Sequence, residues 1–250
     1  YVELELDVNE GVIAEAGSFM MMDDGIKMET IFGDGSEKDQ GFLGKIFGAG
    51  KRLLTGESLF MTAFYNILFG KRKMSFASPY PGKIIPIDLT EFRGKFIGQK
   101  DAFLCAAKGV SIGIEFSKRL GRGLFGGEGF IMQKLEGDGM AFVYTGGTMA
   151  KKILQSGETM QVDTGCIVGF TQDIDYDIEF VGGIKNTIFG GEGLFFAKLQ
   201  GPGIVYIQSL PFSRLAARVL ATAPRGGGKD RGEGSILGGL GDLIDGDNRF

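Results

Sequence analysis

Apolar residues along this chain fall in short runs broken by glycine. Examples are Gly11-Val12-Ile13-Ala14, Phe19-Met20-Met21-Met22, Ala102-Phe103-Leu104-Cys105 and Ile204-Val205-Tyr206-Ile207. Runs of this length, rich in β-branched and aromatic residues and bounded by turn formers, predict strands rather than helices. They follow one plan three times. A glycine-led segment (Gly11–Ala14, Gly94–Ile97, Gly157–Met160) precedes an apolar stretch (Phe19–Met22, Ala102–Cys105, Cys166–Phe170). A strand ending in Glu29, Glu115 or Glu179 comes next. Each copy then reaches a shared phrase: Thr55-Gly56-Glu57-Ser58-Leu59-Phe60, Gly126-Gly127-Glu128-Gly129-Phe130-Ile131 and Gly190-Gly191-Glu192-Gly193-Leu194-Phe195. From the strand glutamate to the phrase glutamate the offsets are 128 − 115 = 13 and 192 − 179 = 13, against 57 − 29 = 28 in the first copy. The first copy therefore carries 15 extra residues (28 − 13) between Thr30 and Gly56.

After the phrase, Phe130–Leu135 turns through Glu136-Gly137-Asp138-Gly139 into Met140–Tyr144. Leu194–Leu199 likewise turns through Gln200-Gly201-Pro202-Gly203 into Ile204–Ile207. Gly-rich turns between such runs predict hairpins. The fold expected is all-β, a sandwich or barrel-like body of three tandem repeats (about 9–80, 94–150 and 157–212) filling residues 1–220, with few short helices. Inside the extra segment, apolar residues at 42, 43, 46, 47, 53 and 54 fit a helical face, weakened by four glycines. Ser213 is placed to cap a helix running to about Leu220, with Pro224 ending it. A Gly-rich linker follows from Arg225, then a short apolar stripe (Ile236-Leu237, Leu240, Leu243-Ile244) suited to docking.

Composition narrows the chemistry. The chain has no histidine, which removes the commonest general base and metal ligand, and with them Ser-His-Asp, Cys-His and His-based zinc chemistry. Its two cysteines, Cys105 and Cys166, are far apart and outside any CxxC spacing, so reduced thiols are expected rather than a disulfide or a cysteine metal site. A net charge of −4 gives no global field for nucleic acid. No uncharged apolar run approaches the ~18–20 residues of a membrane span. The chain opens at Tyr1 in what already reads as a strand, so part of a natural N-terminus is taken to be missing. The expected location is cytoplasmic or peripheral to a membrane.

Two glycine motifs do not carry the chemistry they spell, and other patterns have two readings. Gly121-Arg122-Gly123-Leu124-Phe125-Gly126 spells G-x-G-x-x-G but leads into a strand, not the helix a dinucleotide site needs. Gly50-Lys51 is followed by Arg52 and lacks the first P-loop glycine. Asp173, Asp175, Asp177 and Glu179 alternate with apolar residues, which puts four carboxylates on one strand face. A solvated or salt-bridged face is the main reading, a divalent-ion site the other. Met20–Met22 is read as a core or subunit contact. The candidate site residues are Glu57, Glu128 and Glu192 with the basic residues Arg52, Arg122 and Lys185 nearby. Each glutamate either anchors a tight turn or belongs to a ring of carboxylates about a pseudo-threefold axis. The basic residues, beside Phe42, Phe47 and Phe125, also suit an anionic lipid or single-stranded nucleic-acid surface. No catalytic residue, metal ligand or cofactor is assigned.

The strings Ile13–Ser18, Lys51–Phe60, Phe125–Phe130 and Phe189–Phe195, with Tyr80-Pro81-Gly82, Val162–Gly165, Asp175–Asp177 and Gln208–Pro211, resemble bacterial members of the altered-inheritance-of-mitochondria (mitochondrial biogenesis) family over about residues 1–220. The resemblance implies three β-units, each similar to a subunit of the tryptophan RNA-binding attenuator protein, a short relative of the double-stranded β-helix. It also implies a ring-like homo-oligomer, with a trimer favoured. The family has no established activity, and its fungal mitochondrial members are tied to inner-membrane organisation. Fold similarity transfers neither RNA nor tryptophan binding. The reading is a non-enzymatic oligomeric scaffold or partner-binding protein, with a protein or a membrane surface as further partner and no specific nucleic acid. The alternative is a small-ligand or nucleic-acid binder using clefts between repeats.

Overall fold

A computed structural model describes residues 1–32, 60–118, 130–180 and 195–222. Among them, Tyr1–Pro211 forms one compact unit and is all-β apart from short 3-10 turns. Its eighteen strands are β1 (Val2–Leu6), β2 (Gly11–Glu15), β3 (Phe19–Met22), β4 (Ile26–Phe32), β5 (Phe60–Asn66) and β6 (Arg72–Phe76); β7 (Gly82–Asp88), β8 (Lys95–Gln99), β9 (Phe103–Ala107), β10 (Ser111–Lys118), β11 (Phe130–Glu136) and β12 (Met140–Gly146); β13 (Met149–Leu154), β14 (Thr159–Asp163), β15 (Ile167–Thr171), β16 (Asp175–Phe180), β17 (Phe195–Gln200) and β18 (Gly203–Gln208). The glycine-led segments, the apolar stretches and the strands around the three glutamates all appear where the sequence placed them.

All pairings are antiparallel, in four sheets. Sheet I runs β1-β6-β3, sheet II β4-β5-β2-β9-β12-β7, sheet III β10-β11-β8-β15-β18-β13 and sheet IV β14-β17-β16. Three apolar layers hold them. Leu6, Phe64, Met74, Phe76, Leu104 and Tyr144 lie between sheets I and II. Ile13, Ile87, Phe96, Phe103, Ile112 and Tyr206 join sheets II and III. Met132, Phe170, Ile178, Leu199 and Val205 join sheets III and IV. Sheets II and III therefore bury both faces, which is why β9 and β15 are almost entirely apolar, Thr171 excepted, instead of alternating.

The expected hairpins are corrected. β11 pairs with β10 and β8, whereas β12 pairs with β7 and β9 in another sheet; β17 and β18 divide between sheets IV and III in the same way. The turn glycines bond to a neighbouring loop. Gly137 N–H donates to Gly94 C=O (3.0 Å) and Gly201 N–H to Glu158 C=O (2.9 Å). A Gly-rich turn can carry the chain across the ~10 Å between packed sheets as readily as reverse it within one. The hairpin pairs are instead β4–β5, β10–β11 and β16–β17, closing on Phe32↔Phe60, Lys118↔Phe130 and Phe180↔Phe195. The carboxylate strand is also shorter than expected. β16 begins at Asp175, so Asp173 sits in the preceding turn, where it pairs with Arg93.

Two backbone features recur before and within strands. Asn9 (φ 67°), Arg93 (φ 54°) and Gly157 (φ 79°) each stand two residues ahead of β2, β8 and β14 in the left-handed region. The ladders β3–β6, β9–β12 and β15–β18 each carry an irregularity at the second residue of the first-named strand: Met20, Leu104 or Val168. Beyond Pro211, α1 spans Phe212–Thr222, starting one residue before the predicted cap Ser213. The predicted helix over 42–54, the linker from Arg225 and the stripe over 236–244 lie outside the described residues.

Leu104 is fully buried, so Leu104→Ala is expected to cost about 2–5 kcal/mol. A Cβ at Gly157 meets open space, so Gly157→Ala measures the left-handed backbone alone, about 1–2 kcal/mol, and Gly157→Asn costs less. Urea unfolding followed by circular dichroism, at one fixed protein concentration, checks all three.

Candidate functional site

Glu57, Glu128, Glu192, Arg52, Arg122 and Lys185 all lie outside the described residues. Their segments join β4 to β5, β10 to β11 and β16 to β17, so all six belong to connections of the same hairpin type. The described carboxylates form no centre. Asp175 and Asp177 point to solvent on edge strand β16, where Asp177 stands opposite Lys198 of β17 and its own Oδ1 accepts the Ile178 N–H at 2.7 Å. Among the described residues no three Asp, Glu or Cys side chains converge as a metal site would require.

One thiol and three phenols among the described residues are held protonated by burial. Burial pushes the Cys105 thiol far above its ordinary value, and Tyr144 likewise. Tyr80, whose ring meets Tyr144 edge-on at 5.4 Å, is pushed up to about 12 by burial, with the nearby Asp101 adding to the effect. Burial also raises Tyr176 to about 12. Beside Tyr80 a groove of about 550 Å³ is lined by Tyr1, the Ala77–Gly82 connection between β6 and β7, and Ile84. Its polar chemistry is mostly backbone: Ser78 Oγ donates to Tyr80 C=O at 2.8 Å.

The uncommon surfaces are apolar. The first is β3, whose Phe19, Met20, Met21 and Met22 are 42%, 49%, 45% and 40% exposed. The strand residues Phe103, Leu104, Cys105 and Ala106 of β9, by contrast, are 2%, 0%, 0% and 0% exposed. Met20–Met22 are thus not core in this chain, although Phe19 stacks on Phe64 at 5.6 Å. The second is the β5–β6 turn, where Ile67, Leu68 and Phe69 stand out, Phe69 at 91% exposure. That tip is held firmly. Buried Asn66 donates through Nδ2 to Leu6 C=O (3.1 Å) and Gly70 C=O (2.8 Å), and its Oδ1 accepts the Leu68 N–H (3.1 Å). The third is α1, with Phe212, Val219 and Leu220 exposed, Arg214 and Arg218 on the turns opposite, and no acidic residue in its length. Sequence reasoning passed over the tip because Ile67-Leu68-Phe69 reads as the end of a strand run; the signal was Asn66 before it and Gly70 after it.

Flanking charges pair across the sheet surface. Lys71 meets Glu5 at 2.6 Å and Lys73 meets Glu3 at 2.9 Å, while Lys95 meets Glu115 at 3.1 Å. Exposed pairs of this kind contribute little to stability and leave no concentrated basic patch on these strands. Among the described residues no helix is long and apolar enough to cross a membrane.

The chain is 31% identical over 227 residues to an uncharacterized protein, M6_Spy0233, of Streptococcus pyogenes serotype M6, covering 89% of this chain and 86% of that protein. It is also similar to the crystal structure of protein SPYM3_0169 from Streptococcus pyogenes. That match has a TM-score of 0.68 at 25% identity and covers 88% of this chain and 93% of that one. The family model described as mitochondrial biogenesis AIM24 matches residues 1–210. On that match and the streptococcal similarity, this chain is a bacterial-type member of the mitochondrial biogenesis AIM24 family.

Proposed function

We propose that this protein is a non-enzymatic scaffold: three copies of one six-strand unit that associate with further copies of the chain and display attachment surfaces to partners. The observation that carries the reading is β3, four consecutive apolar residues left about half exposed at a sheet edge, with no charge or proline before Asp23 at its end. Natural edges of that kind are covered or blunted, because a bare row of N–H and C=O groups recruits other strands. The unit itself is supported by pairing. Strands 1–6, 7–12 and 13–18 follow one scheme, in which the sixth strand pairs with the first and third and the fifth with the second and fourth. Cys105 and Tyr144 support the non-enzymatic reading as far as they go, since a protonated, buried thiol or phenol is a poor nucleophile.

Attachment to an anionic membrane surface is part of the proposal, carried by α1. Its exposed apolar residues and two arginines suit an interfacial helix, although at eleven residues it needs several copies acting together. The groove at Tyr1, Tyr80 and Ile84 favours the second reading, a small ligand held between units. A stoichiometric bound metabolite in native mass spectrometry supports that reading over the scaffold.

Light scattering on the full chain is expected to give a multiple of 26.8 kDa, with the threefold mass as the form implied by the resemblance; a monomer across the micromolar range overturns the scaffold reading. Vesicles containing anionic lipid are expected to pellet the protein at low salt, with the Val219→Asp/Leu220→Asp variant left in the supernatant. No pelleting by the parent protein removes the membrane part and leaves the scaffold standing.

A further inference from the structure

We infer that β14 of one copy pairs antiparallel with β3 of the next, in one defined register, and that this head-to-tail ladder is the joint of the assembly. The inference rests on the scaffold reading above and adds to it the two edges and their alignment.

Sheet order identifies the edges. Sheets II and III both run fourth-fifth-second strand of one unit, then third-sixth-first strand of the following unit. Sheet IV supplies β16-β17-β14 and stops; sheet I begins at β3 and continues β6-β1. Placing sheet IV of one copy beside sheet I of another gives β16-β17-β14-β3-β6-β1, the same order as the two complete sheets. The first and fourth strands are edges in every unit. Among the described residues, only β3 and β14 are edges whose counterparts, β9 with β15 and β2 with β8, are interior.

The register follows from the two ladders inside the chain. In β2–β9, the second, third and fourth residues of β2 face the fifth, fourth and third of β9: Val12↔Ala107, Ile13↔Ala106 and Ala14↔Cys105. In β8–β15 the same positions meet: Phe96↔Thr171, Ile97↔Phe170 and Gly98↔Gly169. Applied to β14 and β3, this alignment pairs Met160 with Asp23, Gln161 with Met22 and Val162 with Met21 of the neighbouring copy. Two independent ladders give one answer.

Burial agrees with an interrupted interface. Ile13 and Ile97, the third residues of β2 and β8, are buried, whereas Gln161, the third residue of β14, is exposed. Residues of β9 and β15 that correspond to Met20 and Met21 are covered because a neighbouring strand and sheet continue past them. A partner's sheet IV beside β3, with the sheet III that packs on it, would cover Met20–Met22 in the same manner. Because two different edges meet, the contact is heterologous and must either close into a ring or run on as a fibre.

The test is the double variant Met21→Cys/Val162→Cys, oxidised with diamide and run on a non-reducing gel, with Met21→Cys/Thr159→Cys as the register control. Directly opposed strand residues bring Cα atoms within disulfide range, while a shift of three residues moves them about 10 Å apart. A ladder of covalent oligomers ending at the mass found by light scattering, with monomer from the control and from the parent chain, supports the joint. A second variant, Met21→Lys, is expected to give a monomer that keeps its β-type circular dichroism. Monomer bands from the Met21→Cys/Val162→Cys variant, while light scattering still shows an oligomer, overturn this joint and leave the scaffold reading intact. A monomeric parent chain overturns both.

Discussion

The whole β-body depends on backbone pairing between strands that are distant in sequence: β2 with β9, and β8 with β15. These ladders turn what would be four small sheets into two six-stranded ones. Only then can three apolar layers form, since a sheet packed on both faces has no solvent to satisfy an unpaired edge. Phe96 shows the consequence at one residue. It is fully buried, packs against Phe92 and Tyr206, and lies where a Cβ on Gly169 would come within 2.5 Å of its ring. Glycine at 169 lets the aromatic ring close over the ladder partner strand, so the pairing and the layer beneath it stabilise each other.

Much of this was legible in the order of residues, and the reason is local. A glycine-led start such as Gly11-Val12-Ile13 or Gly94-Lys95-Phe96 announces a strand through chain entropy and β-propensity, which neighbours in space scarcely alter. Partner choice is another matter. Phe130–Leu135 and Met140–Tyr144 are both good strands separated by a good turn, yet they belong to different sheets. Periodicity reports which faces are buried, not which edge is bonded. The exposure of β3 was hidden for a related reason: Phe19-Met20-Met21-Met22 has the composition of core, yet β3 lies at the edge of its sheet among the described residues. The three glutamates of the shared phrase and the three basic residues ahead of it fall between the paired strands β4–β5, β10–β11 and β16–β17, outside the described residues.

The chemistry of the described residues is that of a packing surface. Cys105, Tyr80, Tyr144 and Tyr176 keep their protons because burial disfavours the charged form. Charged groups on β1, β6, β8 and β10 neutralise one another along the sheet surface. Among the described residues, large apolar side chains stand exposed on β3, which is also a sheet edge, on the Ile67–Phe69 tip and on α1. The family match and the streptococcal similarity extend over nearly all of this β-body.

The long reach of the β2–β9 and β8–β15 ladders also governs how the chain must be built on the ribosome. β2 leaves the exit tunnel well before β9 exists, and β8 before β15, so every nascent intermediate holds one bare interior strand until the next unit arrives. Among the described residues β14 keeps that condition, since it pairs with β17 and with no strand later than it in sheet order.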